Sequence, residues 1–177
     1  PAMLSPVKAG VTVTPLMTVG DTLADGYRFE AIPDGIALLP RGRGRVDLWV
    51  NHETGKVPFP YSPVAPTAAN GENDFDNAQV SHLVLNQRTA GVLDGEMAID
   101  SSAGYQRFCA NFLATWRESF DRPILFTNEE SPEWVYRQEQ SWPPVPGDPN
   151  EREPGLVTAL DVRTGKRLWI FHTIPKK

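Results

Sequence analysis

Short apolar runs of four to seven residues, rich in Val, Leu, Ile, Thr, Trp and Phe, recur along the chain between clusters of proline, glycine, asparagine and aspartate. Such residues suit a pleated surface, and turn-forming residues at this spacing mark many short strands. The pattern predicts strands at Val11–Leu16, Tyr27–Ala31, Val46–Asn51, Val80–Asn86, Val92–Met97, Ile124–Thr127, Leu156–Asp161 and Arg167–Thr173. The class is therefore mainly β. One short helix is expected at Arg107–Ser119, where Phe108, Phe112 and Trp116 recur every four residues and would share a core-packing face, with Cys109 and Leu113 beside them. Lys56–Asn77 and Ser131–Gly155 read as long loops; the run Trp142-Pro143-Pro144-Val145-Pro146 lacks the N–H donors a ladder needs.

Two segments repeat one supersecondary unit. Ser81–Leu93 and Val157–Trp169 each run from an apolar strand into Asn86 or Asp161, then through a Thr-centred turn with glycine into a second strand. The Asn or Asp side chain can bond the turn's N–H groups, and glycine accepts the left-handed conformation. Repeated hairpins of this kind build propeller blades. A closed propeller takes on the order of 250 residues or more, so a single domain of 177 residues is expected to be an incomplete β-propeller of two to three blades. Another chain or a further segment would complete it. Within it, residues 1–17 read as an N-terminal arm, 132–154 as a proline-rich loop and 155–175 as a propeller hairpin.

Composition narrows the partners. The net charge of −5 and 40% hydrophobic residues are those of an ordinary globular protein. The dense cationic cluster Arg41-Gly42-Arg43-Gly44-Arg45 reads as a solvated turn, and no nucleic-acid groove is expected. No apolar run approaches the ~18 residues of a membrane span, and Pro1–Gly10 lacks the charged-then-apolar layout of a signal peptide. The single cysteine, Cys109, excludes an internal disulfide framework. No Gly-x-Ser-x-Gly elbow, P-loop, His-Glu-x-x-His or dinucleotide fingerprint is present.

Polar residues at strand ends are the candidate chemistry. Asn51-His52-Glu53 follows directly on the apolar run Val46–Val50, and Asn128-Glu129-Glu130 follows Ile124–Thr127. Carboxylate and amide oxygens suit Ca²⁺, imidazole suits transition metals, and a Cys109 thiolate would suit iron or zinc. The adjacent carboxylates of Glu129 and Glu130 are easiest to understand with a cation between them or on opposite faces. Gly71–Asn77 is rich in oxygen ligands but lacks the order of an EF-hand. His82 and His172 alternate with apolar residues and read as structural.

Taken in order, Ile32-Pro33-Asp34-Gly35-Ile36, Leu48-Trp49-Val50-Asn51-His52-Glu53, Val80–Leu85, Arg107-Phe108-Cys109-Ala110 and Phe126–Ser131 resemble the first half of the PhoX-like family, over roughly Thr18 to Ser131. These are secreted bacterial β-propeller proteins, some of them alkaline phosphatases. The resemblance implies a funnel holding calcium and, in the phosphatases, iron. It places Asn51, His52, Glu53, Cys109, Glu129 and Glu130 among the metal-binding positions, hydrolysis of a small phosphate ester as the family activity, and a periplasmic or secreted location. Around Cys109 the chain departs from the family, with Phe108 and Ala110-Asn111 where the phosphatases carry a glycine-rich stretch. Gly155–Pro175 resembles instead a blade of the quinoprotein dehydrogenases that bind pyrroloquinoline quinone (PQQ). That implies a second reading, a piece of a PQQ-dependent dehydrogenase, beside a third in which the propeller serves binding or assembly alone.

Overall fold

Strand pairing organises nearly every described segment of the computed structural model, which describes residues 4–29, 31–53, 78–100, 105, 107–130, 135–136, 151–152, 156–164 and 166–172. The first four strands, β1 (Ile32–Gly42), β2 (Arg45–Glu53), β3 (Gln79–Asn86) and β4 (Val92–Ile99), form an antiparallel sheet in the order β1-β2-β3-β4. The next two, β5 (Phe108–Ala114) and β6 (Ile124–Glu129), precede a two-stranded ladder of β7 (Val135–Tyr136) and β8 (Glu151–Arg152). With β9 (Leu156–Asp161) and β10 (Arg167–His172) they complete a second four-stranded antiparallel sheet, ordered β10-β9-β6-β5. Among the described residues the fold is mainly β, with two such sheets, almost no helix and no closure into a barrel.

Alternation along β2 explains how the sheets stack. Asp47, Trp49, Asn51 and Glu53 face the second sheet, while Leu48, Val50 and His52 face the other way. Trp49, Val80, Phe108, Leu125, Leu160 and Val162 make one core between the sheets. Leu48, Val50, Leu83 and Leu85 make another, closed by Tyr27, Phe29 and neighbouring residues from the segment before β1. β2 and β3 are thus covered on both faces, which is why they read as nearly unbroken apolar runs. Phe112, Phe126, Ala159 and Trp169 lie in one register row on the far face of the second sheet.

The repeated hairpins match in detail. Asn86 Oδ1 accepts from the N–H groups of Arg88 and Thr89 at 2.9 and 3.1 Å. Asp161 Oδ1 accepts from those of Arg163 and Thr164 at 2.9 and 3.2 Å. In the first turn Ala90, not Gly91, takes the left-handed conformation, with φ 58°; Gly165 holds the equivalent sequence position in the second.

Three expectations need correction. Arg107–Ser119 is not a helix: it is β5, then a single 3₁₀ turn at Trp116–Glu118 capped by Thr115. A spacing of four fits period 2 as well as period 3.6, so the aromatic series did not discriminate. A bulge between Phe108 and Asn111 then shifts the alternation, leaving Phe108 at 0% exposure and Phe112 and Trp116 at 56% and 71%, with no shared buried face. Val11–Leu16 forms no strand, and the described residues of Tyr27–Ala31 contribute only the isolated bridge Thr22↔Arg28. Conversely, β1 runs through Pro33 and Pro40, which an edge strand tolerates because its outer N–H groups need no partner. Lys56–Asn77, including Gly71–Asn77, lies outside the described residues, as do Thr173 and most of Ser131–Gly155.

Tyr27 shows how the segment before β1 is fixed. Its hydroxyl is 2.6 Å from Ser81 Oγ, which is 2.7 Å from His52 Nε2. Burial pushes the phenol up to about 12, with the Ser81 hydrogen bond working the other way. The unfolded chain releases this proton near pH 10 and the folded chain near 12, so stability present below pH 10 is lost as the pH rises between those values. Chemical denaturation across pH 9–12 is expected to show that decline in the native protein and a shallower one in Tyr27→Phe; equal slopes would contradict it.

Candidate functional site

β1 and β5 each carry one extra residue relative to their partners where they lie against each other. The β1–β2 register shifts between Pro33 and Ile36, and the β5–β6 register shifts between Phe108 and Asn111. Bulges re-aim side chains and recur beside functional sites. Here they turn Asp34 and Cys109 toward Glu53 at the end of β2. One ligand atom from each of the three side chains lies within 4.8 Å of the others, with Asp34 exposed and Glu53 and Cys109 half-buried.

The approach depends on Gly35. A Cβ there would stand 2.5 Å from the carbonyl oxygen of Cys109 and 2.8 Å from the Asn111 nitrogen, both backbone atoms that cannot swing away. Asn51 and Asn111 close the seam. Asn51 Nδ2 donates to the carbonyls of Cys109 and Ala110 at 3.3 and 3.1 Å and to Thr127 Oγ1 at 2.9 Å. Asn111 Nδ2 donates to Gly35 O at 2.7 Å and to Asn51 Oδ1 at 3.3 Å. Tyr105 and Arg107 tie the same end together through the isolated bridges Ala78↔Tyr105 and Glu53↔Arg107 and through Glu130 N donating to Arg107 O at 3.0 Å.

The predicted ligands therefore divide. Glu53 and Cys109 come together: the thiol donates to Glu53 Oε1 at 3.3 Å. Glu130 lies near enough to act on the same thiol. Asn51 spends its amide on the seam. His52 points to the opposite face, against Ser81 and, edge-on at 5.0 Å between ring centroids, Phe29. Glu129 is buried and engaged in β6 opposite Phe108. Parity along the strand carried this signal, since residues 51 and 53 must face one way and 52 the other. Asp34 stood in the Ile32–Ile36 motif without a ligand role, because the bulge that aims it is not legible in the sequence. His82 bridges Asp47 and Glu96 at 2.9 Å each and stacks on Trp49, in keeping with a structural role.

Burial raises the Cys109 thiol first, and hydrogen bonding and charge from Glu53 and Glu130 raise it further, to about 12. In the metal-free chain it is a protonated donor. A cation among these groups would reverse that preference, because it favours thiolate and carboxylate together. Bonds of ~2.0–2.3 Å at tetrahedral angles put ligand atoms roughly 3.3–3.8 Å apart, so the three atoms, within 4.8 Å of one another, would draw closer around one ion. Comparison with protein-family models, with curated proteins and with solved structures found no match to this chain.

Glu53→Gln and Glu130→Gln should each lower the thiol's pKa and raise the thiolate fraction. Alkylation of Cys109 by iodoacetamide at pH 9 in metal-free protein is expected to quicken roughly 3–10-fold. An unchanged rate in both variants would show that the carboxylates do not act on the sulfur.

Proposed function

We propose that this chain is part of a PhoX-like, metal-binding β-propeller whose activity is hydrolysis of small phosphate esters. The observation that carries the reading is the joining of Asp34, Glu53 and Cys109 at facing bulges of two neighbouring sheets. The four-stranded antiparallel sheets stacked face to face support the propeller part of it: β1 and β5 are edge strands of their sheets and lie side by side.

The donor set bears on the metal. A thiolate with carboxylates suits iron or zinc, whereas calcium prefers oxygen ligands alone. Of iron and zinc, iron is the one the PhoX-like resemblance implies, and we assign it to Cys109, Glu53 and Asp34, with Glu130 beside them. Calcium would fall to oxygen-only positions. A metal bound here would polarise a phosphoryl oxygen and stabilise charge developing during transfer. The chain's own part is to fix the ligands on two strand bulges held by the Asn51–Asn111 seam. Secretion or a periplasmic location, and a further chain or segment that completes the propeller, belong to the same reading.

Metal analysis after anaerobic reconstitution with ferrous iron should find one ion per chain. Cys109→Ser and Glu53→Gln should weaken binding at least tenfold, and a chromogenic phosphate ester should be turned over only by the loaded protein, with chelator abolishing it. No retained metal and no chelator-sensitive turnover would overturn the proposal.

A further inference from the structure

The opposite end of the two sheets has a different chemistry. Antiparallel order brings the β1–β2, β3–β4, β5–β6 and β9–β10 connections to one end, away from Cys109. Each carries cationic side chains: Arg41, Arg43 and Arg45 on the first, Arg88 on the second, Arg117 and Arg122 on the third, and Arg163, Lys166 and Arg167 on the last. Glu118, Asp121 and Asp161 lie on the same connections, but cations outnumber them, against a net charge of −5 for the whole chain. Arg41 is paired with Asp47 at 3.2 Å, and Arg122 with Asp121 and Asp161 at 3.2 and 3.7 Å. The Arg163 guanidinium makes no ion pair or side-chain hydrogen bond among the described residues.

Between these turns the sheets part and leave a cleft of about 450 Å³, lined by Arg41, Arg163 and the Asp47 carboxylate on its charged side and by Pro40, Trp116 and Pro123 on its apolar side. A narrower recess of about 140 Å³ shares Arg41, His82 and Arg163, is bordered by Trp49, and also carries Asp94 and Glu96 on its wall. The Trp49 indole is buried, and its Nε1 has no hydrogen-bond partner. A buried donor left unpaired is destabilising, so an acceptor beside it would be stabilising. Asp47 and His82 already satisfy each other at 2.9 Å, and Asp47 uses the same oxygen for Arg41, which leaves most of the Arg41 fork available. Trp116 remains 71% exposed at the wall.

We propose that this cleft binds a dianionic oxyanion group of the phosphate-monoester class between the Arg41 and Arg163 guanidiniums, with the apolar part of the same ligand against the Trp116 indole. Planar guanidinium forks match tetrahedral oxyanions in bidentate fashion. Two of them, against the one carboxylate of Asp47 in the cleft, favour a double over a single negative charge. Ring stacking on Trp116 distinguishes an aryl or otherwise apolar ester from free phosphate. The site does not depend on the metal cluster at the other end.

Phenylphosphonate, which a phosphatase cannot hydrolyse, is the probe. Titration of the full chain, followed by the indole N–H resonances, should give saturable shifts at Trp49 and Trp116 that persist in chelator. Benzoate, with one charge, should bind roughly tenfold more weakly, and benzyl alcohol not at all. Arg163→Ala should weaken phenylphosphonate about tenfold and Arg163→Lys less. Trp116→Ala should weaken phenylphosphonate but leave inorganic phosphate unchanged. Equal binding of benzyl alcohol, loss of binding on chelation, or indifference to Arg163→Ala would each overturn the assignment, as would the absence of saturable shifts.

Discussion

The side-chain amide of Asn51 holds the two sheets in register at the end where their edge strands meet. It reaches the backbone of β5 at two carbonyls and β6 at Thr127, and Asn111 returns the contact to Asn51 and to Gly35 of β1. Both bulged backbones have polar groups that leave their regular ladders and need partners in a dry interface. Each hydrogen bond contributes only about 0.5–1.5 kcal/mol net, but stranding its partners costs more. The seam therefore specifies alignment as well as adding stability. Asp34, Glu53 and Cys109 come together as a consequence: none is near the others in sequence, and each sits on or beside a bulge the seam fixes.

That arrangement gives the molecule two unlike ends. Carboxylates and the thiol gather where β2 and β6 finish and β1 and β5 begin, whereas arginines crowd the four connections at the other end. Gly35 lets the sheets touch backbone to backbone at the first end; at the second they part around Trp49, His82 and Val162 to leave a cleft. Close contact suits ligands that must share one ion, and separation suits a site that admits a small molecule. The Cys109 end would offer carboxylates and a thiol to a cation, and the Arg41–Arg163 cleft would offer guanidiniums to an anion.

Much of the fold was legible because alternation and turn chemistry are local. The Asn86 and Asp161 turns behave alike since each places a carbonyl or carboxylate oxygen before two unpaired N–H groups, and β2, β3, β4, β6, β9 and β10 follow their apolar patterns closely. β1 was hidden by Pro33, Gly35 and Pro40, residues that break a central strand but are harmless at an edge with a bulge. β5 was mistaken for a helix because a four-residue aromatic spacing is common to both periods and a bulge cannot be read from composition. Of the site, Glu53 and Cys109 were visible as strand-end and lone-thiol chemistry. Asp34 was not, because its role follows from a tertiary contact between two irregularities. The diversion of Asn51 and His52 to hydrogen bonding reflects strand parity, which the triplet contained but which chemistry alone does not weigh.

The claim on which the account turns is that Asn51 and Asn111 act together across the sheet interface. A double-mutant cycle of Asn51→Ala and Asn111→Ala, measured by denaturant unfolding, tests it directly. The seam predicts a coupling energy of about 1–2 kcal/mol, because removing either amide already strands groups that the other served. Strictly additive losses would mean that the two sheets meet without this lock, and the gathering of Asp34, Glu53 and Cys109 would need another cause.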